Sequence, residues 1–471
     1  MTISNWNGSV HFTPEKIEAP TSLERLIEIV KDTVTFPGPL RAIGELHSLN
    51  EAAATGGTAI FMRHFDKIGE PEGPSGRQTI TVGAGVRMID LKEALKRHGL
   101  QLEVVPEIGN ATAGSVACCG TKDSSLGPRG LGQISSCVVG VRMILADGRD
   151  EPIVDPDRLR IIRSSYGLLG IIHEVTFALK PRTKVRYKYK RVKLGDWLAV
   201  GQPLPAPASR DILGPKAHGF LGFLIPRKRV LFVERRTIAR FQGALPGFDW
   251  LKLQLRTIAW MTGARPFAGL LRFLPRRLQQ GISTAWSHLL EGGLLDFFFV
   301  RILGRFSTFR ADAMIDFTRP APSYFEFTFW AFPASRWAEI VPKFFDFCDA
   351  FELRTGFRPR LPVEVYFIRQ DPNAILSFSA VEDIFTLDLV NWTDEEPPLW
   401  KQMNEEFNEF AARHGGRPLL NQTKHLSPAV AERLWKQTRG WQQLSDTRDA
   451  LDRNERFLTP FFKERLPKPT P

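Results

Sequence analysis

Between Pro20 and about Lys180 short apolar runs alternate with amphipathic stretches, the pattern of a domain that mixes strands and helices. Leu23, Leu26, Ile27 and Val30 fall on one face of a predicted helix at 23–31, which Ser22 can cap and which carries Glu24 in its first turn. Residues 79–83 (TITVG) read as a strand leading through a glycine turn to a helix at 88–98, whose apolar positions are Ile89, Leu91 and Leu95 and whose stop is Gly99. Residues 138–145 (VVGVRMIL) read as a buried strand closing on Ala146-Asp147-Gly148. Another, at 170–179 (GIIHEVTFAL), ends at Pro181, which is the first predicted boundary.

From Val185 to about His414 the apolar and aromatic segments lengthen, at 220–225, 229–233, 324–331 and 384–390. This predicts a largely antiparallel sheet, with an amphipathic helix at 337–353 crossing over from the strand at 324–331. Beyond Gly415 the chain is polar and helical, too short for a third domain, and is expected to pack back on the first. The division is therefore 1–182, 183–414 and 415–471, with no internal repeat and no low-complexity tract.

The chain has 471 residues, 43% of them apolar and 24% charged, which excludes a disordered or fibrous protein. Four cysteines (Cys118, Cys119, Cys137 and Cys348) are too few and too irregularly spaced for a disulfide framework, and no CxxC pair suggests zinc. A reducing, cytoplasmic setting without bound metal is expected. The sequence starts without the basic and apolar regions of a secretion signal, and no uninterrupted apolar stretch reaches the ~18 residues a membrane crossing needs.

The net charge of +12 is unevenly spread. Lys252, Arg256, Arg265, Arg272, Arg276 and Arg277 lie between Asp249 and Glu291 with no acidic residue among them. Around them, at 250–310, runs such as 267–274 (FAGLLRFL) and 294–300 (LLDFFFV) mix leucine and phenylalanine with the basic residues. Such an insert suits either a cap-domain helix pair with solvated arginines or a face lying peripherally on an anionic lipid surface. Nucleic acid fits poorly, because bulky aliphatics interrupt the charge and no nucleic-acid-binding motif is present.

Candidate chemistry concentrates in glycine turns. The stretch from Pro39 to Ser48 (PLRAIGELHS) can aim successive backbone N–H groups at phosphate oxygens. It gains specificity beside three others: 82–86 (VGAGV), 113–121 (AGSVACCGT) and 166–172 (YGLLGII), the last following Ala146-Asp147-Gly148. Several separate glycine turns in one α/β segment suit an extended dinucleotide. A Rossmann site is excluded, since no GxGxxG follows a first strand with an acidic residue ~20 positions on.

In order and spacing these segments resemble the FAD-linked oxidases of the vanillyl-alcohol oxidase and p-cresol methylhydroxylase superfamily, most of all the aldonolactone and alditol oxidases. The likeness covers roughly the first 180 residues and the last 60. It implies an α+β fold: a two-subdomain, PCMH-type FAD-binding domain plus a substrate (cap) domain of antiparallel sheet and helices. It implies FAD as cofactor, its pyrophosphate wrapped by Arg41, Ala42, Ile43, Gly44, Glu45, Leu46, His47 and Ser48, with His47 at the position that bonds covalently to the flavin. The family pattern there is Gly-x-Gly-His-Ser, so Leu46 stands where glycine is usual and brings a Cβ to that turn. Gly114, Ser115, Cys118, Gly120 and Thr121 match the stretch beside the isoalloxazine, with Cys119 replacing the usual histidine. A second covalent bond through Cys118 or Cys119 competes with a role as small buried hydrophobes. Gly167, Gly170 and Ile172 match positions along the adenine half.

For the reacting side the resemblance assigns Glu364 to a strand facing the flavin, with Tyr366 replacing an arginine. The family's Pro-His-Trp-x-Lys segment reads Pro418 to Lys424 here, keeping Lys424 while Asn421 and Gln422 replace His and Trp. Asp388 falls near the place of another active-site histidine. Oxidising CH–OH by hydride transfer to flavin N5 needs a group to take the hydroxyl proton and a cation to steady the alkoxide, roles suited to Glu364 and Lys424. The implied substrate is a sugar, aldonolactone, polyol or lipid-linked sugar, with oxygen or another acceptor receiving the electrons. The lost His, Trp and Arg keep open a flavin-dependent reductase of a carbon–carbon double bond or a noncatalytic flavin-fold protein.

Overall fold

The computed structural model describes the chain apart from residues 107, 123–125, 127–129, 195–216, 239–250, 252–272, 290–292, 294–307, 311–324, 360, 393–396 and 469–471. Most of the basic insert at 250–310 therefore lies outside the described residues. Its described helix, Arg276–Leu289, exposes Leu278, Ile282 and Leu289.

The first layer is a small parallel sheet in the order β1 (Lys16–Glu18), β3 (Thr58–Phe61), β2 (Leu40–Ile43), with helix α1 (Leu23–Lys31) between β1 and β2. The Ser22 hydroxyl accepts from the Arg25 N–H and starts α1 at the expected residue. Leu26, Ile29 and Val30 bury its apolar face against Phe36, Leu40 and Ile60. The far end of α1 is finished from the other end of the chain. Arg456 is 5% exposed and donates to the carbonyls of Ile29, Val30 and Phe36 at 2.6–2.9 Å and to Asp32 O at 3.2 Å. The Arg456 carbonyl in turn accepts from the Leu40 N–H at the start of β2.

The second layer comprises β4 (Thr79–Gly83), α2 (Met88–Arg97), β5 (Leu100–Leu102), α3 (Ala113–Cys118), β6 (Val138–Ile144), β7 (Asp150–Ile153) and β8 (Ile171–Pro181). Its antiparallel sheet runs β4-β8-β6-β7, with β5 also pairing β8. The predicted elements at 79–83, 88–98, 138–145 and 170–179 all appear within a residue or two of their expected bounds.

A new sheet begins four residues after β8. It is built from β9 (Val185–Lys193), β10 (Ala217–Ile225), β11 (Val230–Ile238), β12 (Thr308–Arg310), β14 (Trp330–Pro333), β15 (Val363–Ile368), β16 (Ile384–Thr386) and β18 (Arg417–Pro418), in the order β12-β9-β11-β10-β15-β16-β14-β18. Every pairing in it is antiparallel, and α4 (Trp337–Thr355) packs beside it. The expected single strand at 324–331 is two, because the chain changes sheets at Phe329. Among the described residues strand β13 (Phe325–Thr328) pairs only with β17 (Leu389–Trp392), whereas β14 pairs with β16 and β18. The run at 384–390 splits between β16 and β17 for the same reason. An unbroken apolar run has no periodic mark where it passes from one buried sheet to another.

Candidate active site

A cavity of about 220 Å³ lies where all three layers meet. Arg41, Ala42, Ile43, Gly44, Glu45, Leu46, His47 and Ser48 line one wall. Gly114, Ser115, Cys118, Thr121, Gly167, Gly170 and Ile172 line it as well. Gly120 does not; a Cβ there would lie 2.7 Å from Gln133 Oε1, so its smallness serves packing behind the wall.

Arg41 emerges from β2 and is 8% exposed. Its Nη1 donates to Tyr166 O at 2.6 Å, its guanidinium lies 5.4 Å from the Phe462 ring centre, and its Nε has no partner. No carboxylate pairs with it among the described residues. A buried guanidinium without a counter-anion needs one, and a diphosphate supplies the charge and acceptor geometry it fits.

Leu46 adopts φ 56°, the left-handed conformation that glycine enters freely and that costs other residues ~1–2 kcal/mol. Its side chain packs on Ile3, Ile43 and Ala59, and that burial offsets the strain. The turn geometry thus survives the loss of glycine. His47 follows, with Nε2–H donating to Asn110 Oδ1 at 2.7 Å and a buried Nδ1 that has no partner. Burial pushes its pKa down to about 4, with the Asn110 bond opposing, so the ring is neutral at pH 7 and Nδ1 carries a lone pair. Cys118 and Cys119 form no disulfide; their sulfurs are 3.9 Å apart, and the Cys118 thiol donates to Gly114 O at 3.3 Å.

The segment at 419–424 is fastened to this wall. Asn50 Nδ2 donates to Leu420 O at 2.6 Å and Thr423 O at 2.9 Å, and the Leu49 N–H donates to Asn421 O at 2.8 Å. Asn421 and Gln422 thereby line the cavity, each with a buried side-chain oxygen that lacks a donor. These acceptors suit substrate or flavin N–H and O–H groups.

From the third layer, period-two alternation on β15 brings Glu364 and Tyr366 to the cavity together, with Leu221 of β10 opposite Tyr366. The Tyr366 hydroxyl donates to Glu364 Oε2 at 3.3 Å. Asp388 faces Glu364 across a two-bond bridge, its N–H donating to Glu364 O at 2.9 Å and its O accepting from Glu364 N–H at 3.0 Å. Asp388 is fully buried and does not itself line the cavity. Burial raises its pKa to about 6 although the neighbouring Lys122 pulls it down.

Alternation also separates Lys424 from the cavity. Phe325 and Phe327 of β13 line it, so Glu326 and Thr328 point to the other side. There the Lys424 ammonium ion-pairs with Glu326, and its backbone N–H donates to Thr328 Oγ1 at 3.0 Å. Lys424 is not among the cavity-lining residues. Sequence reasoning overlooked Lys122, Trp6 and Phe327, which do line it; the Gly120-Thr121-Lys122 junction at the rim of a matched motif was the available signal for the first. Among the described residues no cluster of ligating side chains fits a metal ion, and no helix is long and apolar enough to cross a membrane.

Residues 14–150 match the family model described as an FAD binding domain. Among curated proteins the chain is 30% identical to an L-gulono-1,4-lactone dehydrogenase of Mycobacterium tuberculosis, over 38% of this chain and 40% of that protein. It is 27% identical to an alditol oxidase of a Streptomyces species, over 53% and 56%. The chain thus matches only about two fifths to just over half of the length of these relatives. Among solved structures it superposes on a solvent-stable cholesterol oxidase with a TM-score of 0.73 at 16% identity, covering 98% of this chain and 97% of the other. A cholesterol oxidase from B. sterolicum gives 0.72 at 12% identity.

Proposed function

From a chain that carries an FAD-binding domain and has the PCMH-type fold of the FAD-linked oxidases, we propose that this protein is an FAD-dependent oxidoreductase acting on the CH–OH group of a sugar, aldonolactone, polyol or lipid-linked sugar. The observation that carries this reading is that one cavity joins an unpaired buried guanidinium and a free imidazole nitrogen to a carboxylate–phenol pair from another layer. Bound FAD supplies a two-electron hydride acceptor.

The chain's residues do the rest. Arg41 and the backbone of 42–48 hold the diphosphate. His47 Nδ1, unprotonated and unpartnered, would anchor the flavin covalently. Asn421 Oδ1 and Gln422 Oε1 orient hydroxyl groups, and Phe325, Phe327 and Leu221 keep water from the reacting carbon. Glu364 takes the hydroxyl proton on a carboxylate oxygen, with Tyr366 O–H fixing its orientation.

Purified protein is expected to be yellow and to bleach anaerobically on addition of an aldonolactone or alditol without NADPH. Bleaching by NADPH alone would replace this reading with a reductase. After acid precipitation the colour should stay in the pellet for the parent and move to the supernatant for His47→Ala; colour in the parental supernatant would remove the covalent link.

A further inference from the structure

Lys122 lies just beyond α3, at the rim of the glycine stretch, and is 9% exposed. It lines the cavity, and its ammonium ion-pairs with Asp388. The same ammonium stands 3.9 Å from the centre of the Tyr366 ring and 4.6 Å from that of Phe329, so π-faces as well as a carboxylate hold it. Asp388 is locked to Glu364 by their backbone bridge, and Tyr366 donates to Glu364. Lys122, Glu364, Tyr366 and Asp388 are therefore one cluster assembled from three distant parts of the chain.

This arrangement answers a question the sequence raised. Tyr366 stands where the resembling family has arginine, and the other expected cation, Lys424, lies across β13 from the cavity. Lys122 brings a positive charge to the face of the very residue that replaced the arginine.

We propose that Lys122 is the catalytic cation of this site: its ammonium donates to the substrate hydroxyl oxygen and steadies the negative charge that grows there. This rests on the oxidoreductase reading above. The alcohol would lose its hydroxyl proton to a Glu364 carboxylate oxygen and become a carbonyl, with FAD, when bound, supplying the two-electron acceptor for the carbon-bound hydride. Lys122 ends the cycle as it began. Asp388 neutralises Lys122 between turnovers and sets its position. The chemical class served is an alcohol whose oxygen enters uncharged, since the cluster holds two carboxylates against one ammonium.

Lys122→Met alone strands the Asp388 carboxylate and is expected to impair folding, so the decisive variant is Lys122→Met/Asp388→Asn, with Lys122→Arg beside it. The double variant should keep parental FAD content and melting temperature, while substrate-driven flavin reduction slows about 100-fold or more, in kcat rather than KM. Lys122→Arg should recover part of the rate. As a readout independent of turnover, sulfite, an anion that adds to oxidised flavin, should bind the double variant about tenfold more weakly, by absorbance titration. Parental reduction rate or parental sulfite affinity in a fully loaded double variant would overturn the proposal. If the parent itself is bleached by no alcohol, the oxidoreductase reading fails, and the sulfite titration still decides whether Lys122 places its charge at the cavity.

Discussion

Lys122–Asp388 and Lys424–Glu326 are both buried ammonium–carboxylate pairs, and they lie on opposite sides of the same short strand, β13. In the first, the ammonium reaches the cavity and has aromatic faces around it. In the second, the ammonium meets Glu326 and Ser9, and the lysine backbone is tied to Thr328 and, through its carbonyl, to Asn408. Both pairs cost desolvation, and each is kept only because its partner is present. The difference lies in what else the charge can reach: one ammonium lines the cavity, while the other is held by Glu326 and Ser9 away from it. Burial and pairing alone therefore do not mark a reacting group.

The largest test of this contrast is Lys424→Met, which strands Glu326 in the interior and should lower stability by about 3–5 kcal/mol, read as a fall in the denaturation midpoint. Flavin reduction measured on the folded fraction should change far less than in the Lys122 variants. A fully folded Lys424→Met with slow reduction would return Lys424 to the site and erase the contrast.

Next comes pH. Asp388, held at about 6 against its ordinary 3.8, binds a proton in the folded chain that it releases when unfolded between those values. Its contribution to stability is present below pH ~4 and is lost as pH rises through about 6. In the flavin-free chain His47, pushed from 6.5 to about 4 by burial, acts with the opposite sign: its contribution is full above pH ~6.5 and is lost as pH falls toward 4. Asp388→Asn should therefore leave a melting temperature that climbs more steeply from pH 4 to 6 than the parent's. Equal slopes would show that Asp388 does not titrate in that window.

The smallest effect is Thr328→Val, which removes the acceptor for the Lys424 backbone N–H without touching either charge. It should cost about 1 kcal/mol in chemical denaturation at unchanged slope, with flavin reduction unaltered. A larger loss would mean that the closed pair depends on its backbone tie more than on its charges.

Much of the fold was legible because the signals are local. Ser22 followed by an apolar stripe marks α1, and a five-residue alternation bounded by glycine marks β4, whatever the rest of the chain does. Legibility failed where distant segments decide. Nothing near Phe329 announces the change of sheet, and nothing near Lys424 tells which side of β13 its ammonium will take. Lys122 was missed because its partner is 266 positions away and because the turn that carries it is recognisable only for its glycines. At Leu46 the sequence flagged a departure that the backbone absorbs, taking the glycine conformation with an apolar anchor beneath it.

Arg456 has a consequence for the order of synthesis. Four carbonyls around the end of α1 receive their donors from a side chain made more than 400 residues later. On the ribosome this layer therefore waits, its helix end solvated, until residue 456 has emerged, and the cavity wall at 41–48 sets with it. Stalled nascent chains ending before position 456 should be cut by protease between α1 and β2, and chains extending past it should resist; equal cleavage of both would show that the early layer closes without its late-arriving clasp.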